Sequence, residues 1–381
     1  MSRERHELNR RTFIKTGIGT ATSVAAFGTG TWVVQAAPPT QEETPRINGM
    51  PTRRLPRSGQ VVPIFGLGTA TLQYSPLKRE RKVKLVRYAY EKGVRYFDTA
   101  NNYETEDILG EALKDVRDAV YLNTKTMAGN AKTAREHVEG ALKKLQTEAI
   151  DCVKVHLPYG YDRAMRILDE LEKMRDEGKI INVGMSNHIF FEVACKLVDT
   201  GRLDEVLLAR CYFPKGETSI ISHRNAEFRE MALARARQLG MNIIGMKALG
   251  AFMFTAMHKM WVPDYDEDKA GRLPGAAIRW AYSDHRFHVY IIGCDAPEQI
   301  DANVALCSGD MTFTNEDRLL LTEFVTKVWE SENIKKCPVV FANADAANDV
   351  RRVWEGRRRV MAEVMKHGKR LWQESLKNVE T

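Results

Sequence analysis

The stretch Val94-Arg95-Tyr96-Phe97-Asp98-Thr99-Ala100-Asn101-Asn102-Tyr103 decides the fold. It reads as a short strand running into a loop, leaving an acid and a phenol beside the strand's end. Period two along Val94, Tyr96 and Asp98 puts the carboxylate on the same face as two core-type residues. A buried carboxylate needs a cationic partner or several hydrogen-bond donors. The next strand, starting near Ala119, carries Lys125 at its carboxyl end. The one after, from Asp151, carries His156 at the equivalent place. If these strands are parallel neighbours, an acid, a phenol, an ammonium and an imidazole converge.

From Ile64 to Cys307 the chain alternates strand and helix patterns. Strands are expected at Ile64–Thr69, Arg95–Asp98, Ala119–Thr124, Cys152–His156, Asn182–Ser186, Val206–Cys211, Asn242–Lys247 and Val289–Gly293. The spacing of Ala134, Val138, Ala141, Leu142 and Leu145 predicts a helix over Thr133–Leu145. Leu168, Leu171, Glu172 and Met174 belong to another, ended by Gly178. Eight strand–helix pairs argue for an α/β fold of the (β/α)8 TIM barrel type. An open doubly wound sheet would want a third glycine in Gly66-Leu67-Gly68-Thr69-Ala70-Thr71, and none is there.

Around the barrel, 53–315, the chain divides into further parts. Asn9-Arg10-Arg11-Thr12-Phe13-Ile14-Lys15 is close to a twin-arginine export pattern, followed by a charge-free run from Thr16 to Ala37. Val34-Gln35-Ala36 fits a small-residue cleavage site, so 1–36 is expected to be a signal peptide and the mature chain periplasmic. Residues 37–52 read as a linker, and Ser58-Gly59 within Arg53–Pro63 as the turn of a hairpin. Residues 316–381 read as a helical extension, with helices over Leu319–Val328 and Arg351–Val379. The segment Ala248 to Arg272 carries Phe252, Phe254, Trp261 and Tyr265. It is either a wall of the substrate pocket or a helical insertion packing on itself.

Formal net charge is +7, and beyond residue 36 there are 52 Lys and Arg against 48 Asp and Glu. That describes a mixed solvated surface and names no nucleic-acid partner. The six cysteines include no Cys-x-x-Cys pair, so neither zinc nor a redox motif is expected.

The constellation of Asp98, Tyr103, Lys125 and His156 resembles the catalytic tetrad of the aldo-keto reductases. Further matches run in order through Gly66-Leu67-Gly68-Thr69, Gly110, Gly184-Met185-Ser186-Asn187, Met246-Lys247-Ala248-Leu249-Gly250 and Asn303. The resemblance implies a nicotinamide-dependent oxidoreductase acting on a small carbonyl or alcohol, and a hairpin that plugs the barrel's amino-terminal end. Tyr103 would donate the proton, Lys125 would lower its pKa, Asp98 would hold Lys125, and His156 would orient the substrate oxygen. Ser186 and Asn187 would hold the nicotinamide amide and Tyr212 would stack on its ring. Lys247, Gly293, Gln299 and Asn303 fall at the remaining cofactor positions. Ala209 stands where the family usually has a Gln for the amide.

The family's Lys and Arg for an adenosine 2′-phosphate fall on Gly293 and Gln299, with the acidic Asp295 nearby, which leans toward NAD over NADP. Exported, ferredoxin-like relatives carry a cysteine cluster in the carboxyl-terminal region. Here only Cys337 remains, so no iron–sulfur centre is expected. Lys154 should point into the barrel beneath the site, where Tyr96 and Asn123 are its candidate partners. Export also raises a difficulty, because no pool outside the cytoplasm recharges nicotinamide. The chain would then either retain its cofactor and recycle it between two substrates, or serve as a lapsed barrel with a binding or scaffold role.

Overall fold

The computed structural model describes residues 45–212, 223–250, 253–255 and 258–332, without the side chains of 223–225. The expected signal peptide, the first half of the linker, Phe252, Cys337 and the helix over Arg351–Val379 lie outside the described residues.

Eight parallel strands close into a barrel: β4 (Phe65–Gly68), β5 (Tyr96–Asp98), β6 (Tyr121–Thr126), β7 (Ile150–His156), β8 (Ile180–Asn187), β9 (Glu205–Ala209), β10 (Asn242–Met246) and β11 (Val289–Ile292). They are neighbours in chain order, and β11 closes on β4. The barrel expectation holds, with shifted strand bounds. β6 starts two residues late because Lys114–Ala119 winds as a 3-10 helix, and it runs on through Lys125. β9 begins at Glu205, one residue before the expected strand.

Helices α1 (Arg79–Glu91), α2 (Glu106–Leu113), α3 (Ala131–Leu145), α4 (Tyr161–Asp176), α5 (Phe191–Asp199), α6 (His223–Gln238), α7 (His258–Trp261), α8 (Glu267–Tyr282) and α9 (Pro297–Ser308) follow in order. Helix α3 illustrates how local sequence sets them. Asn130 caps it by accepting from the Thr133 amide at 2.9 Å. Ala134, Val138, Ala141 and Leu145 are its buried stripe, and Gln146 ends it in the left-handed region. Helix α2 lies so close to α3 that a Cβ on Gly110 would stand 2.1 Å from the Lys144 carbonyl oxygen.

The amino-terminal hairpin is larger than expected. It is a three-stranded antiparallel sheet of β1 (Arg46–Ile47), β2 (Met50–Arg54) and β3 (Val61–Pro63), so β1 and part of β2 fall inside the stretch read as a linker. Leu55 and Val62 join the apolar cluster inside the barrel with Tyr96, Tyr121, Cys152, Leu207 and Ile244. The Arg57 amide donates to Asn242 at 3.0 Å, and Gln60 reaches Asp151 at 3.4 Å. Both acceptors stand at the amino ends of their strands, so this sheet floors the barrel and leaves the chemistry to the opposite end.

The aromatic segment after β10 takes the helical course. Phe254, Trp261 and Tyr265 are buried in a second cluster with Leu320, Leu321, Phe324 and Val325 of α10 (Asn315–Glu330). Of the two readings the insertion fits this packing, and its partner is α10 rather than the segment itself. Thr314 opens α10 with a capping box closed by Asp317. Among the described residues no helix is long and apolar enough to cross a membrane.

Candidate active site

Asp98 ends β5, Lys125 stands one residue before the end of β6, and His156 ends β7. Tyr103 follows β5 in the loop leading to α2. Parallel register pairs Asp98 with Asn123, Lys125 with Lys154, and His156 with Ser186. All three strands thus deliver their polar residues to the carboxyl end of the barrel, and the four groups expected from the sequence meet there. The Lys125 ammonium is salt-bridged to Asp98 and donates to the Thr99 carbonyl at 2.7 Å. It lies 4.9 Å from the centre of the Tyr103 ring. The Tyr103 and His156 rings meet edge to face at 5.8 Å.

Three non-glycine residues around this opening adopt left-handed backbone: Glu104 after Tyr103, Leu157 after His156, and Lys247 after β10. Each such residue costs about 1–3 kcal/mol and persists where its surroundings enforce it. Leu157 is held by its amide donating to the Ser186 carbonyl at 2.9 Å, and Lys247 by a turn closed from the Gly250 amide at 2.8 Å. The strain therefore gathers at the chemical end of the barrel, where it turns the chain sharply away from the strand ends.

Burial lowers the Lys125 ammonium from its ordinary range. Asp98 works against that fall and the neighbouring Lys154 adds to it. Lys154 is fully buried directly below. It donates to Asn123 at 2.6 Å, as expected, and its nitrogen is 3.5 Å from the Tyr96 hydroxyl. Its charged partner was not expected: Glu205 of β9, at 2.8 Å. Period-two reading of the strand that includes Glu205 would have found it, because alternate strands fill one layer of such a barrel.

The positions expected to hold nicotinamide divide. Ser186 Oγ and Asn187 Nδ2 are buried without a hydrogen-bond partner among the described residues. Asn187 Oδ1 accepts from the amides of Ile189 and Phe190 at 3.1 and 3.0 Å, which fixes the carboxamide and leaves its donor unspent. Unspent buried polar atoms are rare, and a carboxamide-bearing ligand would satisfy both. Tyr212 does not join the tetrad in this structure. Its ring packs edge to face on Trp280 at 5.5 Å and its hydroxyl meets Thr322 of α10 at 2.7 Å, which makes it part of the second core.

At the far end, a Cβ on Gly293 would come within 2.6 Å of the Thr71 methyl, so a lysine there would displace Thr71. Gln299 accepts from the Asp295 amide at 2.8 Å, and Asn303 donates to the Cys294 sulfur at 3.3 Å. Burial raises the Asp295 carboxyl above its ordinary range, with Thr71 and Lys82 working against that rise. The residues present therefore fit the nicotinamide end of a dinucleotide and offer no cation from β11 or α9 for a 2′-phosphate. Among the described residues no group of three or more His, Cys, Asp or Glu could hold a metal ion.

Comparison with known proteins agrees with this geometry. Aldo-keto reductase YhdN of Bacillus subtilis is 33% identical over 141 residues, covering 32% of this chain and 43% of that protein. Methylglyoxal reductase DkgA of Escherichia coli K12 is 31% identical over 152 residues, covering 38% and 52%. The matched stretch thus spans about half the length of these curated relatives. The holo form of aldo-keto reductase AKR11C1 from Bacillus halodurans superposes with a TM-score of 0.59 at 19% identity, over 72% of this chain and 96% of that one. An aldo/keto reductase from Klebsiella pneumoniae in complex with NADP and acetate gives 0.56 at 21%, over 72% and 95%. These two likenesses speak to the fold. The sequence profile of the Aldo/keto reductase family matches residues 64–271, which is more than half of the chain and contains all four converging groups. The chain belongs to the aldo/keto reductase family.

Proposed function

We propose that this protein is a nicotinamide-dependent oxidoreductase that interconverts a small carbonyl and its alcohol. The observation that carries the reading is the meeting of Tyr103, Lys125, Asp98 and His156 at one end of the barrel. The nicotinamide, when bound, supplies or accepts the hydride. Ser186 and Asn187 would hold its amide. Tyr103 moves the proton at the carbonyl oxygen, and a phenol near pKa ~10 needs help to do so at neutral pH. The Lys125 ammonium gives that help by favouring the phenolate, and Asp98 holds the ammonium in place. His156, edge on to the Tyr103 ring, orients the substrate oxygen.

The cofactor choice leans to NAD. A carboxylate at Asp295 suits a ribose hydroxyl and repels a phosphate, and Gly293 leaves no room for a lysine. Substrates of the kind named for the Escherichia coli relative, small aldehydes such as methylglyoxal, are the first to try. Export by the twin-arginine route, with cleavage near Ala36, is part of the same proposal and rests on the order of paired arginine, charge-free run and small-residue site. That route carries folded proteins, so a cofactor captured inside the cell travels with the chain.

The test is to purify the protein after export and examine it for bound dinucleotide, then to follow loss of reduced-nicotinamide absorbance with NADH and with NADPH against aldehydes, ketones and aldoses. Turnover with one of these is the expected result. No bound dinucleotide and no turnover with either cofactor would leave the barrel a binding or scaffold module.

A further inference from the structure

Beneath the tetrad the barrel interior holds a second pair of charges that the proposed chemistry does not use. Lys154, Gly184 and Glu205 stand at one level on β7, β8 and β9, through the registers Lys154 to Gly184 and Gly184 to Glu205. A Cβ at Gly184 would lie 2.5 Å from the Glu205 carbonyl oxygen. With no side chain on the strand between them, Lys154 and Glu205 reach each other at 2.8 Å. Both are 0% exposed. Glu205 also accepts from Tyr96 at 2.6 Å and from Asn242 at 3.4 Å. Asp98 links this pair to the tetrad, one carboxylate oxygen on Lys125 and the other 3.5 Å from Lys154.

The titratable groups acting on Lys154 are Tyr96 and Asp98 on β5, Lys125 on β6, Cys152 on its own strand and Glu205 on β9, with Tyr121 stacked on Tyr96. Burial holds Tyr96, Tyr121 and Cys152 well above their ordinary values, so they stay neutral. Burial opposes the charge on Lys154, and Glu205, with Asp98 behind it, more than offsets this and holds the ammonium charged. The interior therefore carries two ammoniums and two carboxylates, with Asp98 shared between the ammoniums. A buried ion pair is seldom retained for stability alone, because apolar groups of similar volume serve as well.

We infer that Lys154 and Glu205 are a positioning pair for the tetrad: Lys154 competes with Lys125 for Asp98, and so determines how strongly positive charge acts on the Tyr103 phenol. The inference rests on the reading of Tyr103 as the group that moves the proton. Removing the inner cation leaves Asp98 to Lys125 alone and makes the phenolate harder to form. Removing the inner anion does the reverse, because Lys154, still held by Asp98 and Asn123, then acts without its counter-ion.

The experiment is an ultraviolet difference titration of Tyr103, needing neither cofactor nor substrate. Each variant is read against the same variant carrying Tyr103→Phe, so the difference isolates one phenol. Lys154→Met moves the titration to higher pH by about half a unit to one unit, and Glu205→Gln moves it to lower pH by a similar amount. The alkaline limb of the pH–rate profile follows in the same directions. Curves that overlay the parent, or that move the same way in both variants, overturn the inference. Losing one partner of a buried pair can unfold a protein. In that case Lys154→Met/Glu205→Gln decides. It moves the titration upward if the inference holds, since Lys154 touches Asp98 and Glu205 does not. A curve lying on the parent's overturns it. Opposite shifts without any carbonyl turnover would sink the oxidoreductase reading and leave only the coupling of the pair to the Tyr103 phenol. Turnover with overlaid curves would do the converse.

Discussion

Lys125 presents its ammonium 4.9 Å from the centre of the Tyr103 ring while Asp98 grips it. The phenol is thus placed beside a positive charge held by a buried anchor. Tyr103→Phe removes the proton donor and keeps the ring, including its edge contact with His156. Turnover should fall by about 10²–10⁴-fold or more, with the melting temperature and cofactor affinity kept. Steady-state rates together with cofactor titration by Trp fluorescence make the check. Equal loss of rate and binding would show that Tyr103 is structural.

Ser186 separates binding from folding. Its buried hydroxyl has no hydrogen-bond partner among the described residues, so Ser186→Ala should leave stability unchanged or slightly raised. If that hydroxyl meets the nicotinamide amide, the affinity for the cofactor should drop by roughly 5- to 15-fold, on the order of 1–1.5 kcal/mol. Calorimetric titration and thermal melts on one preparation read both quantities. Unchanged affinity would remove Ser186 from the cofactor site.

Asp295 offers a handle on cofactor choice. Asp295→Asn deletes the acid and keeps the size, and Gly293 stays as it is. Relative affinity for NADP over NAD should rise about tenfold, the order expected for one unit charge near a partly solvated phosphate. A ratio of dissociation constants that does not move would mean the phosphate lies elsewhere.

Gly110 tests the packing of α2 on α3. Any side chain meets backbone there, the Lys144 carbonyl at 2.1 Å and the Leu145 Cα at 2.8 Å, and backbone cannot rotate away. Gly110→Ala should destabilise by about 1–3 kcal/mol or more. Chemical denaturation would detect it, and an unchanged midpoint would refute the close approach.

His288 gives the fold a pH dependence. Burial lowers its pKa from the ordinary 6.5, and its Nδ1 accepts from the Ile243 amide at 2.9 Å, which requires a bare nitrogen. The unfolded chain therefore binds a proton first as pH falls. The stability that His288 contributes is present above about pH 6.5 and is lost progressively below it. In melting temperatures from pH 8 to pH 5, the parent's advantage over His288→Gln should shrink through that window. A constant gap would contradict the assignment.

The barrel was legible because each strand carries its own period and each strand end its own chemistry. Asp98, Lys125 and His156 could be aligned without knowing a single contact. Glu205 escaped because the expected strand began one residue too late, which left an interior carboxylate in a loop. The aromatics Phe254, Trp261 and Tyr265 left two readings open for another reason. A bulky apolar group beside a cavity and one beneath a helix look alike in sequence, and only the position of α10 distinguishes them. The spacing of Gly184 from its neighbours likewise says nothing of the Lys154–Glu205 meeting it permits, because that meeting reaches across β8 from β7 to β9.

Helix α10 and the segment after β10 form a cluster that has no buried residue in common with the main core. Arg279 and Asp317 tie the two parts with a two-pronged ion pair at 2.5 and 2.7 Å. A lineage could therefore redesign this annex, in size, polarity or attachments, without reopening the question of how the barrel itself assembles. The footing of the annex is helix α8, which gives Leu273 and Ala276 to the annex and Ile278 and Ala281 to the main core.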